Sequence, residues 1–142
     1  MKREKRIKWE PLSKIAPTVR LRNLKYEPNL LVLNLEDEID KSAPILTIHF
    51  SDFITFRVID ESDLLKGAYD SDESVKNTER VKGYRYRWSL FTIVHSHYLE
   101  WFREQNVSLN HDIDIVHYLI FTAHDVIEVL VPSHSIPTAM WN

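Results

Sequence analysis

Two nearly uninterrupted apolar stretches, residues 116–121 and 126–131, constrain the fold more than any other feature of this sequence. Both are rich in valine, isoleucine, leucine and aromatic residues, and only Thr122-Ala123-His124-Asp125 separates them. Such stretches joined by a short polar turn predict an antiparallel β-hairpin. The register then follows from the turn: Phe121 faces Val126, Ile120 faces Ile127, Leu119 faces Glu128, Tyr118 faces Val129 and His117 faces Leu130.

The two faces of this hairpin differ in polarity. Alternate residues of a strand share a face, so one face carries only uncharged side chains: Val116, Tyr118, Ile120, Ile127, Val129 and Val131. We expect this face to point into the core. The opposite face brings His117 and Glu128 diagonally within reach of each other, and we expect a helix to cover it.

Length and composition indicate one globular domain. Of the 142 residues, 44% are hydrophobic and 27% are charged, which is ordinary for folded proteins. The absence of cysteine excludes disulfides, thiolate metal sites and cysteine nucleophiles. Residues 1–8 are basic, but Trp9-Glu10-Pro11 follows where a secretory signal needs an apolar run, and no apolar stretch is long enough to span a membrane. We expect a cytoplasmic protein with residues 1–142 in a single domain and residues 1–10 as a basic tail.

The remaining segments predict an α+β fold. Strand-like patterns occur at residues 18–22, 30–35, 45–50, 53–59 and 84–94, with Ile54, Phe56 and Val58 pointing inward and Arg57 outward. Short helices are predicted after the caps at residues 60–62 and at Ser96. Residues 70–83 predict a mobile polar loop, and the prolines at 132 and 137 argue against a further strand. Since no βαβ rhythm is present, we predict a mainly antiparallel sheet of about six to seven strands with two short helices.

Charge is segregated along the chain although the net charge is only −3. Residues 1–25 hold nine basic residues against two acids, whereas residues 36–73 hold eleven acids against three basic residues. An acidic block on one side of the fold would favour a basic protein partner and speed its encounter. The candidate partner-binding residues are Glu36, Asp37, Glu38, Asp60, Glu61, Asp63, Asp70, Asp72 and Glu73.

His95 and His97 have the spacing most typical of metal ligands, because alternate residues of an extended segment share a side. Asp112 and Asp114 are candidates to complete such a site. Two histidines without a third form a weak motif, and solvated histidines at the start of a helix are the simpler interpretation. We therefore expect no bound metal and no cofactor.

His117 and Glu128 also have two interpretations. A histidine general base needs a partner that fixes its tautomer, and Glu128 would supply it. The sequence, however, places no serine or threonine as their nucleophile, and buried polar groups need hydrogen-bond partners whether or not they catalyse. A structural pair is the favoured interpretation, with no catalytic residue assigned.

Nucleic-acid binding is disfavoured. The aromatic and basic residues that alternate over residues 84–88 would point to opposite faces of a strand, so one surface would not present both kinds. Gly67 and Gly83 are the only glycines, which excludes a glycine-rich phosphate loop.

Three segments carry a resemblance to a known kind of protein: residues 54–61 (ITFRVIDE), residues 98–102 (YLEWF), and residues 117–122 with 125–130 (HYLIFT and DVIEVL). Together they resemble small uncharacterised bacterial proteins of the toxin-immunity type, over roughly residues 45–131 and without a catalytic signature. The resemblance implies a non-catalytic binding protein that neutralises a cognate bacterial toxin by surface occlusion, and the acidic block favours a basic toxin domain as the partner. Two alternatives stay open: a small hydrolase or metal-dependent enzyme using His117 and Glu128 or His95 and His97, and a structural homo-oligomer with an edge at residues 84–94.

Overall fold

The computed structural model describes residues 3–60, 87–106 and 113–142. Within these ranges the chain forms nine strands and one helix: β1 (Lys5–Lys8), β2 (Val19–Glu27), β3 (Leu30–Asp37), β4 (Leu46–Ser51), β5 (Thr55–Asp60), β6 (Leu90–Val94), α1 (His97–Gln105), β7 (Ile115–Phe121), β8 (Asp125–Pro132) and β9 (Thr138–Trp141). All neighbouring strands in the sheets pair antiparallel. The mainly antiparallel α+β class agrees with the prediction, while the number of strands is higher than predicted.

The strands form two sheets, so the prediction of one sheet was wrong. The five-stranded sheet has the order β1-β6-β7-β8-β5, and the four-stranded sheet has the order β2-β3-β4-β9. The strands β4 and β5 follow each other in sequence but belong to different sheets. The chain turns between them at Asp52, whose φ of 56° lies in the left-handed region, where aspartate is tolerated better than most residues.

The predicted hairpin is the centre of the five-stranded sheet. Its register is confirmed at every predicted pair, from Phe121 opposite Val126 to His117 opposite Leu130. Thr122 closes the turn, since its N–H donates to the carbonyl of Asp125 at 2.8 Å and its hydroxyl accepts the Asp125 N–H at 2.8 Å. The apolar sequence of the two strands and the side-chain chemistry of the turn therefore act together to fix the pairing.

The main core lies between the two sheets. In β3, residues Leu31, Leu33 and Leu35 are buried while their neighbours are more exposed, as expected for a strand with one face in the core. Phe50 of β4 meets Tyr118 of β7 with ring centroids 5.4 Å apart. The predicted core face of the hairpin is confirmed, because its residues belong to this cluster or pack against it.

Several predicted elements differ from the structure. A strand does form after Pro137: Thr138–Trp141 pairs with β4 at the edge of its sheet. The proline precedes this strand and so removes no donor from the ladder. The strand predicted over residues 84–94 is seen as β6 from Leu90 onward, with Trp88 and Ser89 outside it. The helix predicted after residues 60–62, the loop predicted at residues 70–83 and residues 84–86 lie outside the described ranges.

Two further features concern the edge strands of the five-stranded sheet, β1 and β5. Within the segment that the sequence suggests as a basic tail, Lys5–Lys8 forms β1 and pairs with β6. At the opposite edge, Val58 of β5 is 46% exposed although its side chain is on the core face of the sheet, because an edge strand is only partly covered.

In the described part of the chain, no helix has the length and apolarity needed to cross a membrane.

Candidate functional site

Four polar side chains form a hydrogen-bonded chain on the face of the five-stranded sheet that α1 contacts; we call it the buried relay. The hydroxyl oxygen of Ser96 lies 2.6 Å from Nδ1 of His117. Nε2 of His117 lies 3.0 Å from Oε1 of Glu128. The Nε–H of Arg57 donates to Oε2 of the same carboxylate. The predicted contact between His117 and Glu128 is confirmed, and the structure adds a partner at each end.

The strand register explains how these residues meet. Glu128 of β8 lies directly opposite Arg57 of β5, and His117 of β7 is one diagonal step away on the other side. Ile93 of β6 pairs with His117, and the chain leaves this strand to begin α1. Ser96, the N-cap of that helix, therefore arrives beside the imidazole ring. The helix start and the three strands are joined through one set of polar contacts.

The proton positions follow from the partners. Nε2 of His117 faces a carboxylate, which only accepts, so Nε2 carries a proton and donates it. In the neutral ring, Nδ1 is then the acceptor and receives the Ser96 O–H. The Ser96 oxygen also accepts the N–H of Leu99 at 2.9 Å as an N-cap contact. Each group in the relay thus has a compatible partner.

The centre of the relay is almost completely buried from solvent. Glu128 is 0% exposed, His117 is 1% exposed and Ser96 is 8% exposed, whereas the side chain of Arg57 is 41% exposed. Arg57 lies on the predicted face of its strand, the one that points away from the main core. Its side chain, however, is not surrounded by solvent alone, because it binds the buried carboxylate of Glu128. Burial of an unpaired carboxylate is costly, and Arg57 brings a compensating charge with access to water.

Tyr98 of α1 covers the relay. Its ring meets His117 edge-on with centroids 5.5 Å apart, and the guanidinium of Arg57 lies 3.9 Å above its centroid. Burial raises the pKa of the Tyr98 hydroxyl above its ordinary value; the nearby Glu128 charge raises it further, while a hydrogen bond with Thr55 and the charge of Arg57 oppose the shift. The relay is therefore closed on its helix side by an aromatic ring.

Ser96 also lies on the wall of a broad cavity of about 640 Å³, together with His95, Leu99 and Arg103. A serine next to a histidine that is oriented by a carboxylate has the order of groups found in serine hydrolases. Such enzymes also need N–H donors for the developing oxyanion. The N–H of His97, the first helix amide after Ser96, already donates to the carboxylate of Glu4 at 2.7 Å, and Glu4 is itself buried. The N–H of Leu99 donates to the Ser96 oxygen itself.

The predicted histidine pair is not arranged as proposed. His95 has a φ of 57°, so the segment from His95 to His97 is not extended and alternation does not bring the two rings to one side. His97 is the first residue of α1 and lies 3.9 Å from Glu4. Asp114 is exposed, and Asp112 is outside the described residues. Among the residues that the structure describes, no group of three or more histidine, aspartate or glutamate side chains is positioned to hold a metal ion.

Four of the candidate partner-binding acids are described, and they lie towards one end of the molecule. Asp37 pairs with Val19, and Val19 forms a bridge to Thr122 in the hairpin turn. Asp60 pairs with Asp125, which ends the same turn. The end of the molecule that contains Asp37, Asp60 and the turn at residues 122–125 is called the hairpin end. Glu36 and Glu38 flank Asp37 there. The other five candidates, Glu61, Asp63, Asp70, Asp72 and Glu73, fall outside the described ranges.

Two of these acids face cations in loose surface pairs. Glu36 lies 3.9 Å from Arg20 and 3.9 Å from Lys41, and Glu38 lies 3.7 Å from Lys41. Exposed pairs at such distances contribute little to stability. Asp37 instead accepts the N–H of Ile39 at 2.9 Å, so its carboxylate closes a turn. These acids are held in place while remaining near the surface.

An apolar cavity of about 300 Å³ opens beside these acids; we call it the end cavity. Its walls include Ile15, Val19, Leu35, Ala43, Leu46 and Trp141, with Lys14 and Asp37 as the charged wall residues. Sequence reasoning missed this feature because its walls come from four separated segments.

The described part of the predicted aromatic and basic segment behaves as expected. Trp88 is 6% exposed, and its indole N–H donates to the carbonyl of Trp9 at 3.1 Å. Arg87 is exposed. The aromatic and the basic side chain are thus not presented together on one surface, as alternation predicts.

Sequence reasoning also missed three participants in the relay region: Ser96, Arg57 and Glu4. Arg57 and Glu128 are each the one charged residue between the two ends of a strand, and matching the two would have predicted that β5 pairs with β8. Comparison with protein-family models, with curated proteins and with solved structures finds no match for this chain. Its function is therefore argued from its own residues.

Proposed function

We propose that this protein is a non-catalytic binding protein of the immunity type, which neutralises a cognate bacterial toxin by covering part of its surface. The observation that carries the proposal is the hairpin end, where acids flank an apolar cavity on the surface. Interfaces of this kind combine an apolar centre with a charged rim. A toxin with a basic surface, such as one that acts on nucleic acid, matches this rim in charge.

The charge pattern supports a fast encounter with a basic partner. Residues 36–73 carry eleven acids against three basic residues, and four described acids of this block lie near the surface at the hairpin end, where Asp37 is held in a turn. Such a field raises association rates and disfavours acidic partners. For an inhibitor that must capture a toxin before it acts, the association rate matters as much as the final affinity.

The buried relay supports a structural role for His117 and Glu128 in this proposal. The carboxylate is shared with Arg57, and the Ser96 oxygen is already used as a helix cap. The amide of His97, which would suit an oxyanion, is bound by Glu4. These contacts join α1 to the sheet and satisfy groups that would otherwise be buried without partners.

The test is co-expression with the toxin domain encoded at the same locus. We expect the tagged protein to copurify with that domain in a stoichiometric complex and to protect cells from it. A His117→Gln variant that still folds should protect as well as the wild type, because no catalytic step is involved. The proposal fails if the wild-type protein neither binds the domain nor protects the cells.

A second candidate function, a serine hydrolase, is favoured by one observation: the 2.6 Å contact between Ser96 and His117. In that reaction the Ser96 oxygen would attack an acyl carbon, its proton would pass to Nδ1 of His117, and the ring would return the proton to the leaving group before water repeats the cycle. A fluorophosphonate probe tests it on the wild-type protein. If the serine is activated, intact mass spectrometry would reveal an adduct formed with loss of fluoride, and peptide mass spectrometry would locate it on Ser96. An unmodified protein under conditions that label a control hydrolase would contradict this candidate.

A further inference from the structure

The end cavity lies where the four-stranded sheet meets the segment before β2. Leu35, Leu46 and Trp141 form one row across β3, β4 and β9, because each is the register partner of the next. Ile15 and Val19 form part of the facing wall. All of these except Trp141 are nearly completely buried, so the floor of the cavity is continuous with the core. A floor of this kind is rigid and apolar before any partner arrives.

The mouth of the cavity exposes apolar surface. Trp141, which lines the cavity from the edge strand β9, is 40% exposed. Ala43 and Pro44, from the connection between β3 and β4, line the cavity. The volume of about 300 Å³ is at the lower limit of small-ligand sites. This size suits one large apolar side chain better than an extended ligand.

Two carboxylates stand beside this mouth without a cationic partner in the described chain. Asp37 lines the cavity. Asp40 follows in the same connection, where its carbonyl accepts the N–H of Ala43, a wall residue, at 3.1 Å. The hydroxyl and the N–H of Ser42 bind the carboxylate of Asp40 and lower its pKa, against a small opposing effect of burial. The nearby cations Arg20 and Lys41 are instead paired with Glu36 and Glu38. The local charge therefore complements a positive segment, although Lys14 on the wall reduces the effect.

We propose that the end cavity receives one apolar side chain from the toxin, carried on a surface segment whose flanking residues are basic. This inference rests on the proposed immunity function and specifies its contact surface. The apolar side chain would act as the anchor of the interface, since buried anchors in well-formed pockets carry most of the binding energy. The flanking cations would meet Asp37 and Asp40, which adds specificity and association rate.

The experiment measures the Kd between the full-length protein and the toxin domain encoded at the same locus, with two variants and one matched control. Ala43→Trp fills the cavity from its rim, and we expect it to raise the Kd at least about 30-fold, as for loss of a strong anchor. Asp37→Asn keeps the acceptor for the Ile39 N–H and removes one charge. We expect it to raise the Kd about 3- to 10-fold at low salt, mostly through the association rate, and less at high salt. Asp52→Asn makes the same charge change at the opposite end of the four-stranded sheet and should leave the Kd unchanged.

The outcomes separate the two proposals. If the wild type binds and Ala43→Trp binds equally well, the end cavity is not the contact surface, while the immunity function stands. If the wild type does not bind, the proposed function is overturned and this inference falls with it. Far-UV circular dichroism and a thermal melt establish that each variant is folded. Should Ala43→Trp fail to fold, Ala16→Leu fills the same cavity from its other wall, and equal affinity for that variant and for Asp37→Asn would again overturn the inference.

Discussion

Replacing Glu128 by glutamine tests the buried relay directly. The substitution keeps the size of the side chain and one carbonyl oxygen, which can still accept the Nε2–H of His117. It removes the charge and turns the second oxygen into an N–H donor, which then faces the Nε–H of Arg57. The relay as described cannot satisfy both of these donors, so Arg57 must move towards solvent.

The expected magnitude follows from burial. Glu128 is 0% exposed, and removing one partner from a fully buried ion pair typically costs about 3–5 kcal/mol. Here the side chain of Arg57 is 41% exposed, so water compensates the guanidinium and the full figure does not apply. The hydrogen bond to His117 is retained. We therefore expect Glu128→Gln to lower the free energy of unfolding by about 1–3 kcal/mol, the usual range for a buried polar group left without its partner.

Urea denaturation measures this free energy, provided that the slope with denaturant stays constant between variants. Glu36→Gln is the matched control, because Glu36 makes only loose pairs with Arg20 and Lys41 on the surface. We expect the control to change the free energy by less than about 0.5 kcal/mol. Should Glu128→Gln fall within the same limit, the relay would not contribute to stability and the structural interpretation would be refuted.

A double variant adds a second check on the same reasoning. Replacing both His117 and Glu128 by leucine removes the polar pair and fills its space with apolar atoms, which is often neutral or even stabilising. The loss should therefore be smaller than the sum of the two single leucine variants, since each single variant leaves the other polar group buried and unpaired. An additive result would mean that the two side chains do not share the contact seen at 3.0 Å.

Three further predictions concern stability. Ser96→Ala removes the helix cap and the donor to the imidazole, and should cost about 2 kcal/mol in urea denaturation. Because burial raises the pKa of Tyr98 in the folded state, its contribution to stability is fully present below about pH 10 and is lost as the pH rises from there through the raised folded pKa. Tyr98→Phe should remove part of this alkaline loss, whereas Tyr26→Phe, at a residue 65% exposed, is the control and should leave the loss in place. Leu33→Ala, at a residue 0% exposed, should cost about 2–5 kcal/mol, against less than about 0.5 kcal/mol for Ile136→Ala, at a residue 78% exposed.

The sequence determines the central hairpin because two independent signals agree there. The apolar runs define the strands, and the turn at residues 122–125 sets which residues face each other; a shift by one residue would move every core side chain to the other face. From the register alone, His117 and Glu128 had to be neighbours. The helix cap at Ser96 could also be predicted from the sequence, since this serine precedes a segment with helical spacing of apolar residues.

The division into two sheets could not be predicted from the sequence, and the reason is physical. Alternation in a strand reports which residues face a core, but it does not report which strand supplies the next hydrogen bonds. The strands β4 and β5 are separated by a short turn, and a hairpin would be the ordinary result. The chain instead changes sheets at Asp52, through a backbone conformation that the sequence permits but does not require. Arg57, the relay partner that comes from β5, depends on this long-range choice.

Stability and binding should separate cleanly in this protein, because the relay and the end cavity are different parts of it. Glu128 has no exposed surface and so cannot touch a partner, which means that Glu128→Gln should weaken folding while leaving the Kd for the toxin domain unchanged at temperatures where the variant is folded. Ala43→Trp should do the reverse. A bound partner stabilises the folded state by mass action, so a destabilised relay variant should melt closer to the wild type when the toxin domain is present in excess. A relay variant that folds but binds more weakly would show instead that α1 and its contacts belong to the interface, and the occlusion surface would have to be sought on that side of the sheet.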